Sequence, residues 1–392
     1  MYQTNQGPSF PAHQFLLSGT SAPADIPHSQ SPKEYTDFGL DNTGNNVDDA
    51  GCAASSQAKI TLITPTGDTS TNIYPCFEHP TLTDLLDQAS IPWRYYSGVP
   101  TGIWTAPNAI SHICNNATQN GGGSCGSGSG SNHDWTNDVK PYLEAQNTLA
   151  PALSDLQPTP PPNASCNFPS TWHGGVIWVV PDGRWSDHPT FGVPDGAPTI
   201  GLGSDWVANI VNSIGLNNCP GDQPNWSNTV ILITWDDWGG WYDHLSPKDP
   251  AHGPGIGYSN FTGDEYVYGF RVPLLVIGEW VKNDGPLGGH ISNVTHDFGS
   301  ILSFIEQTYN VGTSGGIYPA YEYADALAPD NSNPLGDFFC FPPACTTPPH
   351  QTFTPINLYN NSQCSQSICK SNACDATCLI NYPGVPKDAD TD

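Results

Sequence analysis

The stretch TVILITWDDWGGWYDHL, Thr229–Leu245, decides how the rest of the chain is read. A β-branched run leads straight into two adjacent carboxylates, Asp236 and Asp237. A glycine pair, Gly239-Gly240, and then Asp243-His244 follow at once. Apolar strands that end in acidic residues and a tight turn are how open α/β enzymes present functional groups at the carboxyl edge of a sheet. Successive side chains on a regular strand point to opposite faces, so both carboxylates reach one ion only where the strand ends. The two glycines permit that bend. Carboxylate oxygens suit hard divalent cations such as Ca²⁺, Mg²⁺ or Mn²⁺. Read alone, the same pair also fits one Asp capping the turn and the other solvated.

Outward from this stretch, Gly174–Pro181 (GGVIWVVP) reads as a buried strand and Phe270–Gly278 as another. Asp205–Ile214 is an amphipathic helix with Val207, Ile210, Val211 and Ile214 on one side, and Phe298–Tyr309 is a second clear helix. Strand, helix, strand, strand, helix in that order predicts an α/β sheet. Nearer the N-terminus, Thr81–Ala89 reads as a short helix with a threonine cap, and Ile91–Tyr96 as a strand. Residues 119–133 are a Gly/Ser-rich loop expected to be mobile. Residues 1–340 read as one domain, and residues 341–392 as a Cys/Pro-rich tail.

Composition narrows the function. With 10 basic and 37 acidic residues the net charge is −27. That excludes nucleic-acid binding through phosphates, which needs clustered Lys and Arg. Twelve Trp, 16 Tyr and 14 Phe supply core material despite 40 glycines and 39 prolines. Twelve cysteines point to an oxidising compartment. Cys52, Cys76, Cys114, Cys125, Cys166 and Cys219 lie in Gly/Ser/Asn-rich surroundings, as disulfide partners do. The cluster Cys364, Cys369, Cys374 and Cys378 reads as a disulfide-stapled tail rather than a zinc knuckle, because it lacks C-x-x-C pairs. Met1 is followed at once by YQTNQGP, with no basic and no apolar leader region, so the expectation is that a signal was removed or that the chain begins inside a longer protein. No apolar run approaches the ~18–20 residues that span a bilayer.

Several histidines sit where chemistry could use them. Asp187-His188 follows the Gly174–Pro181 strand, with Asp182 and Arg184 in the same loop. His188 fits a phosphoryl ligand or a leaving-group acid, and fits a surface turn as well. His244 follows Asp243 in the same manner. His290 and His296 precede the Phe298–Tyr309 helix, where the dipole disfavours an imidazolium and favours a neutral ring beside an anion; packing or capping is the plain alternative. Ser9, in GPSFPAH, sits in a Pro-fixed turn with His13 four residues on.

Taken together, ITWDDWGGWYDH, WVVPDGRWSDHP, YGFRVPLLVIGEWVK and HDFGSILSFIEQTY resemble the bacterial phosphoesterase family of acid phosphatases and phospholipases C. GPSFPAHQFLLSGTS, TLTDLLDQASIPWRYY and YADALAPDNSNPLGDFF are similar to further family segments, in the expected order, over roughly residues 1–340. The resemblance implies a three-layer α/β/α sandwich of the alkaline-phosphatase-like superfamily. It implies Ser9 as nucleophile, and Asp236, Asp237 and Ser9 as ligands of one divalent metal ion (Ca, Mg, Mn or Zn). It also implies His188, His244 and His296 as catalytic imidazoles, with His13, Asp187, Arg184 and His290 facing the substrate and Arg271 anchoring the strand entrance. The family's Glu-Asn pair, in an ENxSFD-type motif upstream of the nucleophile, has no counterpart in this sequence. The expected substrate is a phosphate ester or a phospholipid, met in solution or by transient contact with a membrane surface. Two other readings stay open: a carboxylate-pair glycoside hydrolase, which needs no metal, and an impaired domain that only binds anions.

Overall fold

The computed structural model describes residues 1–4, 9–22, 35–37, 50–63, 69–97, 102–118, 121–129, 134–141, 174–181, 186, 202–216, 224–239, 243–245, 268–284, 289–312, 324, 330, 332–340 and 351–356. Within these, helices and strands mix in three small sheets. β1 (Tyr35–Asp37), β2 (Ile60–Ile63) and β3 (Thr69–Ile73) form an antiparallel meander. β4 (Trp93–Ser97) lies between β5 (Val139–Pro141) and β6 (Val176–Val179), parallel to both. β7 (Ile231–Thr234) and β8 (Leu274–Ile277) pair antiparallel, Ile231 opposite Ile277. The predicted order of elements between residues 174 and 309 therefore holds. Among the described residues these strands fall in separate small sheets: β6 bonds to β4 from earlier in the chain, and β7 pairs with β8. Only Val176 of β6 is buried, so that strand is less enclosed than its apolar sequence suggests.

The helix that carries the site is α1, Ser9–Ser18, and nine of its ten residues are buried. The Gly/Pro-rich sequence reads as a turn, yet Pro11 costs the helix nothing, because N–H groups in the first turn have no intrahelical acceptor. Ser18 Oγ closes back on Gln14 O at 2.9 Å, and Gly19, at φ 69°, ends the helix in the left-handed conformation that favours glycine. The indole of Trp178, in β6, donates to Leu16 O at 3.1 Å and so fastens α1 to the parallel sheet. Ala12 and Phe15 on its other side pack with Tyr2, Tyr268, Val272 and Phe298.

The main core gathers Leu82, Leu85 and Leu86 of α2 (Leu82–Gln88) and Trp93 and Tyr95 of β4. Ile301, Leu302 and Ile305 of the Phe298–Tyr309 helix complete it, with Leu335, Phe338 and Phe339. That last helix spans the predicted residues. Asp297 caps it, accepting from Ser300 N at 3.1 Å while Ser300 Oγ accepts from Asp297 N. Residues 351–356, the described part of the predicted tail, contact residues earlier in the chain. Ile356 N donates to Asn212 Oδ1 at 2.7 Å, Gln351 N donates to Glu279 O at 2.8 Å, and Phe353 meets Trp226 with ring centroids 5.0 Å apart.

Disulfides join Cys52 to Cys76 and Cys114 to Cys125, and no described cysteine is free. The second fixes part of the Gly/Ser-rich stretch that reads as mobile. Gly126 N donates to Cys114 O at 2.6 Å and Gly128 N to Asn115 O at 2.8 Å. Cys166, Cys219 and the C-terminal cysteine cluster lie outside the described residues. Replacing Cys114 and Cys125 together by serine is expected to lower unfolding free energy by about 3 kcal/mol, the entropy of a closed loop of this size. Urea melts of the two proteins check this; equal midpoints would show that the loop holds without its crosslink.

A second staple is ionic. His112 Nδ1 lies 2.7 Å from Glu78 Oε1, and its Nε2 lies 3.3 Å from Asp84 Oδ1 in α2. Burial opposes the charged ring, but the hydrogen bonds and charges of Asp84 and Glu78 outweigh it and push His112 up to about 10. Adjacent His79 goes the other way, to about 4, chiefly because it is buried. A pKa raised on folding contributes stability that is complete below the ordinary value of 6.5 and is lost as pH rises through about 10. The urea midpoint should therefore fall across that window in the natural protein and fall less in His112→Gln. Parallel curves for the two would refute the staple.

Candidate active site

α1 and the end of β7 meet at the candidate site. Ser9, the first residue of α1, donates from Oγ to Asp237 Oδ2 at 3.1 Å. One helical turn on, His13 Nε2 lies 3.3 Å from Asp236 Oδ2. The predicted bend after β7 is present: Gly239 has φ 60°, and its N–H donates to Asp237 Oδ1 at 2.7 Å. Both oxygens of Asp237 are thus engaged, one by the turn and one by the serine. The turn settles the alternation of strand side chains, because both carboxylates now face α1.

Behind His13, the buried Tyr95 hydroxyl lies 3.4 Å from His13 Nδ1 and donates to Trp104 O at 2.9 Å. Burial of Asp236 favours its neutral form, but the hydrogen bond and charge of His13 outweigh that and hold it at about 2. Asp237 is pushed up to about 6 by its burial and by the neighbouring Asp236 charge. Two carboxylates and a hydroxyl form an all-oxygen donor set, and like charge between the carboxylates is what a bound cation relieves. The residues present therefore fit a hard divalent ion, which Asp236, Asp237 and Ser9 could hold. Ser9 also stands at the N-terminus of a ten-residue helix, where unpaired N–H groups and the dipole favour an anion such as phosphate.

The other predicted residues are spread more widely. His188, Asp187 and Arg184 lie outside the described residues. His244 is 90% exposed, and among the described residues Asp243 lies beside it, Nδ1 to Oδ1 3.5 Å. Asp243 is itself gripped by Arg271, Nε to Oδ2 2.7 Å and Nη2 to Oδ1 2.9 Å, which holds the carboxyl at about 2 and anchors the approach to β8. His290 pairs through Nδ1 with Asp284 Oδ1 at 2.7 Å, and its ring meets Phe338 edge-on.

His296 belongs to a second cluster. Its Nδ1 lies 2.8 Å from Asp330 Oδ2, its Nε2 3.3 Å from Asp337 Oδ2, and the ring is buried. Asp330 also accepts from Ser300 Oγ at 2.6 Å and from Leu335 N at 2.7 Å. Sequence reasoning expects a neutral ring here, because a helix N-terminus repels a cation. Burial does oppose the charge, but the hydrogen bond and charge of Asp330, joined by Asp337, raise the His296 pKa above its ordinary value. Two carboxylates in contact outweigh the dipole of a helix that starts two residues later. Asp330 and Asp337 escape a reading of the sequence by spacing. Their segment, PDNSNPLGD, is quoted above for its family likeness, and that likeness is the one signal that points there.

A sequence model of the phosphoesterase family matches residues 1–312. The chain is 28% identical over 148 residues to the non-hemolytic phospholipase C of Burkholderia pseudomallei, covering 34% of this chain and 19% of that protein. It is 28% identical over 186 residues to phospholipase C B of Mycobacterium tuberculosis, covering 45% of this chain and 32% of that protein. The non-specific phospholipase C6 of Arabidopsis thaliana is 26% identical over 102 residues, covering 24% and 19%. Across the curated relatives quoted, the match spans between 19% and 32% of their own length.

Proposed function

The chain belongs to the phosphoesterase family, and from that membership we propose that it hydrolyses phosphoric esters in the manner of a phospholipase C or acid phosphatase, through a phospho-serine on Ser9. The observation that carries this reading is the contact of Ser9 Oγ with Asp237 Oδ2 at 3.1 Å, at the head of a buried helix. The names of the relatives favour a phospholipid over a phosphomonoester.

In the first step Ser9 Oγ forms a bond to phosphorus, and its proton passes along the existing hydrogen bond to Asp237 Oδ2. The bond from phosphorus to the leaving oxygen breaks, and that oxygen takes a proton from His188, the proposed acid. Water then attacks phosphorus and gives a proton to His188, the bond from phosphorus to Ser9 Oγ breaks, and Oγ takes back its proton from Asp237 as phosphate leaves. The α1 N-terminus steadies the phosphoryl oxygens as charge moves onto them. His13 holds Asp236 against the site and Tyr95 backs His13. A divalent ion held by Asp236, Asp237 and Ser9 would supply electrostatic stabilisation of the phosphoryl group and of the serine oxyanion. His244 and His296 are the further proposed catalytic imidazoles, and His13, His290, Asp187 and Arg184 form the proposed substrate side.

The same reading carries the three-layer sandwich as the architecture and residues 1–340 as its extent; the parallel β5-β4-β6 sheet with α1 fastened to it supports this. The two disulfides support a compartment outside the cytoplasm. No helix among the described residues is long and apolar enough to cross a membrane. The test is hydrolysis of p-nitrophenyl phosphate and p-nitrophenyl phosphorylcholine side by side, with and without a chelator. Chelator-sensitive release of p-nitrophenol supports the reading, and faster turnover of the phosphorylcholine ester supports the phospholipase C form. A folded protein that turns over neither ester would sink it.

A further inference from the structure

We propose that His296 and Asp337 form a second cation site, of the Zn²⁺ class, with ligands other than the carboxylate pair beside Ser9. The plain alternative is an imidazolium clamped between two carboxylates, and the distances separate the two ideas. Asp330 Oδ2 stands 2.8 Å from Nδ1, the length of a charge-assisted hydrogen bond. On the other side of the ring the contacts are longer: Nε2 to Asp337 Oδ2 is 3.3 Å and Nε2 to Ser292 Oγ is 3.2 Å. A tetrahedral ion with ligand bonds of about 2.0–2.1 Å sets its ligands roughly 3.3 Å apart, so this is the spacing of a ligand edge rather than of a strong N–H···O bond.

The supporting groups match that assignment. Metal-bound histidines donate their other N–H to a carboxylate, which fixes the tautomer and leaves the ligating nitrogen free. Asp330 has that position, and it is itself held by Ser300 Oγ and Leu335 N. Asp337 supplies an independent observation, because its Oδ1 is buried and has no hydrogen-bond partner. Lys282 does not neutralise it: Nζ donates to the backbone carbonyl of Asp337 at 2.6 Å. One nitrogen, a carboxylate and a hydroxyl suit Zn²⁺ or Co²⁺ better than Ca²⁺, which takes oxygen alone. His296, Asp330 and Asp337 present ligand atoms all within 4.8 Å of one another, and Asp330, with both oxygens engaged, stays on the Nδ1 side as the orienting carboxylate. On binding, the ion replaces the proton on Nε2, which leaves to solvent.

The inference stands apart from the hydrolytic reading, and its readout is spectroscopic. The full chain carrying Asp236→Asn and Asp237→Asn is titrated with Co²⁺ and its visible d–d absorption followed. The expected result is one equivalent bound with an intense tetrahedral band. Adding Asp337→Asn is expected to weaken binding at least ten-fold and to reduce the band. Ser292→Ala, which alters only a hydroxyl, is expected to shift the band and serves if the Asp337 variant does not fold. No tetrahedral band in the folded double variant would overturn the site in favour of the imidazolium clamp. So would a band and affinity that neither Asp337→Asn nor Ser292→Ala alters.

Discussion

Replacing Ser9 with alanine is expected to lower kcat for phosphoric-ester hydrolysis by about 10,000-fold or more, because the proposed nucleophile is gone. The fold should survive. Ser9 is the first residue of α1, its hydroxyl bonds the Asp237 and Asp236 carboxylates, and alanine is the better helix former. Circular dichroism and the urea midpoint should thus match the natural protein while turnover disappears. Retained turnover in Ser9→Ala would remove the covalent scheme and leave direct attack by water. Denaturing mass spectrometry after rapid quench gives a second measure, since a phosphorylated species should appear in the natural protein alone.

The largest loss of stability is expected from Asp330→Asn, about 3–5 kcal/mol, the cost of breaking a buried charge pair by removing one partner. Asp330 accepts from His296 Nδ1, Ser300 Oγ and Leu335 N at 2.6–2.8 Å. An amide offers one acceptor oxygen where the carboxylate offered two, and its NH₂ would face donors. The residue ties three separate segments: the loop ending at His296, the capped start of the Phe298–Tyr309 helix, and the turn at Leu335. Chemical denaturation of the variant checks the value. A change below about 1 kcal/mol would place Asp330 with ordinary surface ion pairs. Because the carboxylate also outweighs the helix dipole at His296, the variant should carry a less basic imidazole, readable by NMR titration of that ring.

How far the sequence foretells this arrangement depends on whether the information is local. The Phe298–Tyr309 helix is legible residue for residue, because a capping Asp297 and an apolar stripe both act within one or two turns. The acid pair is legible because a β-branched run must end where two carboxylates and a flexible glycine follow. Ser9 is the instructive case. Its place beside an acidic residue follows from family likeness, whereas the helix it begins does not follow from GPSFPAH, since the two prolines of that segment look like a loop from sequence alone. Contacts between distant segments left no local trace. Glu78 and His112 are separated by 34 residues, and His296 and Asp330 likewise by 34. The pairing of Cys114 with Cys125 is equally silent, and that bond is what orders part of a stretch whose composition predicts mobility.

Asp236 and Asp237 are consecutive, and the residues they meet, His13 and Ser9, are four apart on α1. A step along the bend after β7 is thereby matched to one turn of helix. Sliding α1 by a single residue would rotate its face by about 100° and part both contacts together. The register of the helix against the strand end is therefore read at two points, and neither contact can form in a wrong register while the other is kept. Assembly of the site is all-or-none.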